Sequence, residues 1–141
     1  MQRPRHHLTI MALLVLGVGF AGDGRAERRV TDRDYSPQYR ACMAHGGAAE
    51  GVTPDMNDCV SAEVVRREAA LNQVYRAVMV RLTPARARAL RDAERAWIRH
   101  RRTVCDRAGQ AGGIDPEVSL LVNDCWLEQT ARRELDLRAM R

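Results

Sequence analysis

Three stretches of this 141-residue chain repeat their apolar positions at the interval of a helical turn. In the first, Met56, Val60, Leu71, Val74, Tyr75, Val78 and Leu82 share a face. Leu90, Trp97, Val104 and Cys105 do so in the second, and Val118, Val122, Trp126 and Leu137 in the third. Steps of three, four and seven are those of helices with one packed stripe. Each stretch opens on a similar pair: Thr53-Pro54, Thr83-Pro84 or Asp115-Pro116. Thr or Asp can cap the free first-turn amides, and a proline there gives up no bond. Helices are therefore predicted over about 54–82, 84–111 and 116–138, with Pro37 opening a short fourth segment. "HGGAAEG" (45–51) reads as a loop, and "GQAGG" (109–113) ends the second helix. No useful strand-like alternation, repeat or low-complexity tract is present. The expected fold is all-α: a small antiparallel bundle of three main helices and a short N-terminal segment.

The first residues add a compartment. "MQRPRHH" is basic, "LTIMALLVLGVGF" is an apolar run from Leu8 to Phe20, and small residues follow in "AGDGRA". That is the three-part pattern of a secretory signal peptide. The run falls short of the roughly 20 apolar residues that span a bilayer. Cleavage fits after Ala26 or after Ala21, leaving a mature domain of about residues 27–141 with no stable membrane anchor. An uncleaved anchor is the alternative. The protein is expected to be secreted or periplasmic.

Such a small domain buries a thin core, and beyond the signal its aromatic residues are Tyr35, Tyr39, Tyr75, Trp97 and Trp126. Cys42, Cys59, Cys105 and Cys125 also lie beyond the signal, and an even count in an exported chain reads as two disulfides. Zinc is the poorer reading, because there is no Cys-x-x-Cys and the mature histidines are His45 and His100 alone. No cofactor is expected.

Every basic side chain but histidine is arginine, and removing residues 1–26 lowers the formal charge from +5 to +3. That surplus is small for a nucleic-acid binder. Arg88, Arg91, Arg95, Arg99 and Arg102 fall on one helix face, opposed to Trp97, Arg101 and Cys105. The stripe reads as a solvated face or, alternatively, as a contact surface for an acidic partner. Charges also interrupt the apolar stripes: Glu63, Glu94, Arg101 and Arg133. A hairpin turning near 82–83 brings Glu63 level with Arg101, close to Trp97. A second turn near 113–115 brings Glu94 level with Arg133 and Cys105 level with Cys125. These pairs are expected to tie the helices in register. Paired carboxylates could also mean acid–base catalysis, but no nucleophile, histidine partner or phosphate loop accompanies them, and no catalytic residue is assigned.

The residues also carry a resemblance. "GVTPDMNDCVSAE", "LNQVYRAVMVRL", "AERAWIRHRRTVC" and "CWLEQTARREL" resemble the LprI-type lysozyme inhibitor family of exported bacterial domains. The likeness covers about residues 39–138. The matching positions are Cys42, Gly51, Thr53, Met56, Cys59, Glu63, Leu71, Asn72, Tyr75, Ala93, Arg95, Ala96, Trp97, Arg101, Cys105, Cys125, Thr130 and Arg133. Glu94 stands where the family usually has Gln, Arg102 where an Asp usually follows, and the naming member's lipoprotein cysteine is missing. The resemblance implies a small helical bundle that inhibits lysozyme by binding. The matching residues, Asn72, Tyr75 and Thr130 among them, look like scaffold. A lysozyme or another envelope protein is the implied partner, and an envelope module without inhibitory action is the alternative.

The cysteines are expected to pair as Cys42–Cys59, pinning the N-terminal segment, and Cys105–Cys125, linking adjacent helices. Cys59–Cys105 is the rival, since the first hairpin also brings those two level. Helix axes about 8–10 Å apart make a mid-helix bridge difficult when a disulfide tolerates roughly 7 Å between Cα atoms.

Overall fold

The computed structural model describes residues 30–110 and 115–140. The expected signal peptide and most of the expected stop at 109–113 lie outside the described residues. A 3-10 turn, Asp32–Asp34, leads into α1 (Pro37–Met43) and the four-residue α2 (Gly46–Ala49). Three long helices follow: α3 (Thr53–Met79), α4 (Pro84–Gln110) and α5 (Pro116–Ala139). The described residues contain no strand. The segment expected as a loop at 45–51 thus holds a helical turn. Gly46 (φ 59°) and Gly51 (φ 80°) stand at either end of it, in the left-handed region that side chains disfavour.

The start signals act as expected at two of the three long helices. Asp115 accepts the Glu117 N–H at 3.2 Å, and Thr83 accepts the Arg86 N–H at 3.4 Å. Thr53 differs. It is already the first helical residue, Val52 precedes it, and its hydroxyl points to Glu117 of α5 at 3.4 Å. Helix α3 stops at Met79, short of the expected 82, and the chain turns through Val80–Thr83.

Helix α5 is the central element. It packs along α3 and along α4, whereas the α3 and α4 backbones hardly approach one another. Its buried side chains, Leu127, Thr130, Ala131, Glu134 and Leu137, recur at steps of three and four and share one face, which meets both neighbours. Of the stripe expected from Val118, Val122, Trp126 and Leu137, Leu137 is fully buried and the other three are half-buried. Leu71 and Val78 of α3, Leu90 of α4 and Leu137 of α5 form the apolar centre, flanked by Val74, Tyr75, Met79, Leu82 and Trp97. Both disulfides pair as expected: Cys42–Cys59 (Cα–Cα 5.7 Å) fastens α1 to α3, and Cys105–Cys125 (5.5 Å) fastens α4 to α5.

A polar chain completes the interior. The Ser36 N–H and hydroxyl donate to the two oxygens of Glu63 at 2.8 and 2.5 Å, while Ser36 caps α1 by accepting the Tyr39 N–H. Arg66 and Arg67 donate to Glu63 at 2.7 and 2.8 Å. Arg67 reaches on to Glu134 of α5 at 3.1 Å, and Arg138 grips the other Glu134 oxygen at 2.6 Å. Glu63 and Glu134 are both almost wholly buried. Burial pushes the Glu63 carboxyl up, but the bonds from Ser36, Arg66 and Arg67 outweigh it and hold the pKa at about 2 against an ordinary 4.5.

A depressed carboxyl stabilises the fold above its unfolded pKa, and that contribution is lost as pH falls toward the folded value. The difference corresponds to about 3 kcal/mol. Urea unfolding at a series of pH values should therefore show the wild type losing about that much more stability than Glu63→Gln between about pH 5 and about pH 2. Parallel losses in the two proteins would mean that Glu63 is not ionised and bonded as described.

Candidate functional site

The expected Glu63–Arg101 pair does not form. Its register assumed that α3 and α4 pack as a hairpin, but α5 takes the place of each as the other's main neighbour. Glu63 is claimed by Ser36, Arg66 and Arg67. Arg101 instead reaches Glu68, more than one turn further along α3, at 2.9 Å, and donates to Thr130 of α5 at 2.7 Å. Its guanidinium lies between the chain's two indoles, 4.6 Å from the Trp97 ring centre and 4.2 Å from that of Trp126. Thr130 passes the bond on to the Trp126 carbonyl at 2.6 Å. One planar cation thus joins α3, α4 and α5. Arg133 of α5 meets Glu94 of α4 at 2.7 Å, in the register of an antiparallel pair that does pack.

Because α3 and α4 splay, a groove of about 440 Å³ opens between them. Helix α3 contributes Glu68, Leu71, Asn72 and Tyr75; α4 contributes Arg91, Glu94, Arg95, Trp97, Ile98 and Arg101. Its two carboxylates are engaged, Glu68 by Arg101 and Glu94 by Arg133. Asn72 corrects the sequence reading: it is exposed on the groove, not a buried polar group. Tyr75 and Trp97 are half-buried at the junction of groove and core. Glu68, Arg67, Glu134 and Ser36, which organise the interior, were not singled out from the sequence. Apolar stripes reveal no polar partners on other helices; only the high density of charge within the stripes hinted at them.

Arg88, Arg91, Arg95, Arg99 and Arg102 are all exposed along α4. Arg91 and Arg95 border the groove, and Arg88, Arg99 and Arg102 lie off it. The acidic contact the stripe makes is Asp92 to Arg95, at 3.9 Å with both groups largely in solvent, which is worth little. A second recess lies beside α1, where Tyr35 and Tyr39 meet edge to face at 5.0 Å. Burial, then the neighbouring Tyr39, Glu128, Asp124 and Asp32, push the Tyr35 hydroxyl up to about 12. Among the described residues no group of three His, Cys, Asp or Glu side chains is placed to hold a metal ion.

A family model for the lysozyme inhibitor LprI matches residues 42–137, from the first cysteine to the last core leucine. The chain belongs to the LprI lysozyme-inhibitor family. An uncharacterized protein of Rhizobium meliloti (strain 1021) is 28% identical over 102 residues, 61% of this chain and 71% of that protein. No solved structure matches the chain. The LprI family is named for inhibition, not for a catalysed reaction, and the matched segment takes in all four cysteines, both tryptophans and Arg101.

The stacked guanidinium yields a stability test. Cation–π contacts reach about 2 kcal/mol when desolvated, and hydrogen bonds from a charged donor add roughly 1.5–3. Arg101→Ala should lower the unfolding free energy by about 3 kcal/mol. Arg101→Lys keeps the charge but not the plane, and should recover less than half of that in urea denaturation. A lysine variant as stable as the wild type would show that stacking contributes nothing.

Proposed function

We propose that this chain is an exported bacterial protein that binds a lysozyme-type muramidase and blocks it, without catalysing a reaction. The family match across residues 42–137 carries this reading. Two disulfides suit an oxidising compartment, and the sequence pattern of residues 1–26 supplies the route out of the cell. Among the described residues no helix is long and apolar enough to cross a membrane.

A muramidase presents carboxylates in a cleft, so an inhibitor needs cations on a convex surface. The outer arginines of α4, Arg88, Arg99 and Arg102, fit that requirement: they are exposed and lie off the groove. The mature net charge of +3 works the other way against strongly basic lysozymes, since like-signed partners lose electrostatic steering. That charge favours the second reading, a module that contacts anionic components of the cell envelope and inhibits nothing.

A cell-wall lysis assay, with direct binding in parallel, separates the two. The oxidised protein should inhibit a weakly basic muramidase more strongly than a highly basic one. Raising salt should weaken binding, because screening acts over about 8 Å at physiological ionic strength. Changing Arg88, Arg99 and Arg102 to Glu should weaken inhibition about tenfold, chiefly through the association rate. Reduction of the disulfides should abolish it. A folded, oxidised protein that binds no muramidase would eliminate the inhibitor reading.

A further inference from the structure

The α3–α4 groove has features that neither the fold nor the convex α4 face uses. Asn72 is exposed there and has no hydrogen-bond partner among the described residues. Among the described residues Arg91, exposed at the rim, has no ion pair, and Arg95 has only the long, solvated contact with Asp92. Glu68 spends one oxygen, Oε1, on Arg101, and its side chain stays 42% exposed. The floor is apolar and aromatic: Leu71, Tyr75, Trp97 and Ile98, the last 45% exposed. With the internal acids neutralised by Arg101 and Arg133, Arg91 and Arg95 leave the site with an excess of positive charge.

We propose that this groove is a binding site for a saccharide that carries a carboxylate. Three features choose that chemistry. An aromatic floor with Trp97 suits the apolar C–H face of a sugar ring. The rim mixes donors and acceptors, Asn72 and Arg95 with Glu68, as a hydroxyl-rich ligand requires. The guanidinium forks of Arg91 and Arg95 match the planar geometry of a carboxylate. The volume, about 440 Å³, lies within the range of small-ligand sites. A purely apolar ligand would desolvate Asn72, Arg91 and Arg95 without repaying their hydrogen bonds. This proposal does not depend on muramidase binding.

The test is a titration of the full exported chain, both disulfides formed, followed by calorimetry and by tryptophan fluorescence. Trp97 and Trp126 are the chain's two tryptophans, and Trp97 lies in the groove. The probes are an N-acetylglucosamine–N-acetylmuramic acid disaccharide, digalacturonic acid, neutral chitobiose and benzoate. At least one acidic disaccharide should bind about tenfold more tightly than chitobiose and than benzoate. The tighter of the two acidic sugars tells whether a lactyl-ether or a ring carboxylate is the natural form. Changing Arg91 and Arg95 together to Ala should remove the preference for the acidic sugar. Asn72→Ala should weaken binding several-fold, and changing Arg88 and Arg99 to Ala should leave it unaltered. Both pairs of arginines are exposed, so these variants should fold, as circular dichroism and thiol titration can verify. Equal binding of chitobiose, equal binding of benzoate, no binding of either acidic sugar, or loss of affinity in the Arg88/Arg99 variant would each overturn the proposal.

Discussion

The guanidinium of Arg101 between Trp97 and Trp126 is the contact on which this architecture turns. A domain with so few aromatic residues cannot fill its centre with rings alone. It stacks both indoles on one planar cation and lets that cation bond outward to Glu68 of α3 and Thr130 of α5. Helix α4 has no extensive backbone contact with α3, so Arg101, the apolar cluster around Leu90 and the turn after Met79 carry the connection between them. The splay they leave is what opens the groove. Packing α3 directly on α4 would close it and displace α5 from its central place.

Hairpin arithmetic on the sequence shows where local reasoning reaches and where it stops. Helices α4 and α5 are true antiparallel neighbours, and counting from a turn near 113–115 leads to Cys105–Cys125; the Glu94–Arg133 contact has the same register. Counting from a turn near 82–83 misses by more than one turn on α3, because the two backbones splay and Arg101 meets Glu68 in place of Glu63. The start signals worked where a polar side chain immediately precedes the proline and stays outside the helix, as at Thr83 and Asp115. Thr53 broke the rule because α2 and the positive φ of Gly51 deliver the chain to α3 one residue earlier. The buried stripe of α5 was illegible for a different reason: two of its five members, Thr130 and Glu134, are polar, so the apolar pattern does not mark it.

Asn72 exposes a different limit. A polar residue inside a recurring pattern suggests a buried hydrogen-bonded group, and Glu63 and Thr130 are such groups. Asn72 has the same appearance in the sequence but faces open space beside Arg91 and Arg95. Only the splay of two helices, a tertiary fact, separates a residue that the fold needs from one that it can spare. That distinction is what turns attention from the scaffold to the groove.

The absence of lysine acquires a physical sense once the interior is seen. Arg67 touches Glu63 through Nε and Glu134 through Nη1, so one side chain spans two buried carboxylates on different helices. Arg138 closes on Glu134 through two nitrogens, and Arg133 donates to Glu94 through Nε, with Nη2 in ion-pair range of the same oxygen. An ammonium could satisfy neither the fork geometry nor the stack between indoles. Breaking such a pair leaves a buried charge without a partner, at a cost of about 3–5 kcal/mol. The arginines therefore divide into two populations. Those within the bundle are consumed by Glu63, Glu68, Glu94 and Glu134, which cancels the acids that would otherwise balance the surface. The exposed arginines of α4 remain as a surplus on one side of the molecule, and the modest net charge of the whole chain understates how positive that side is.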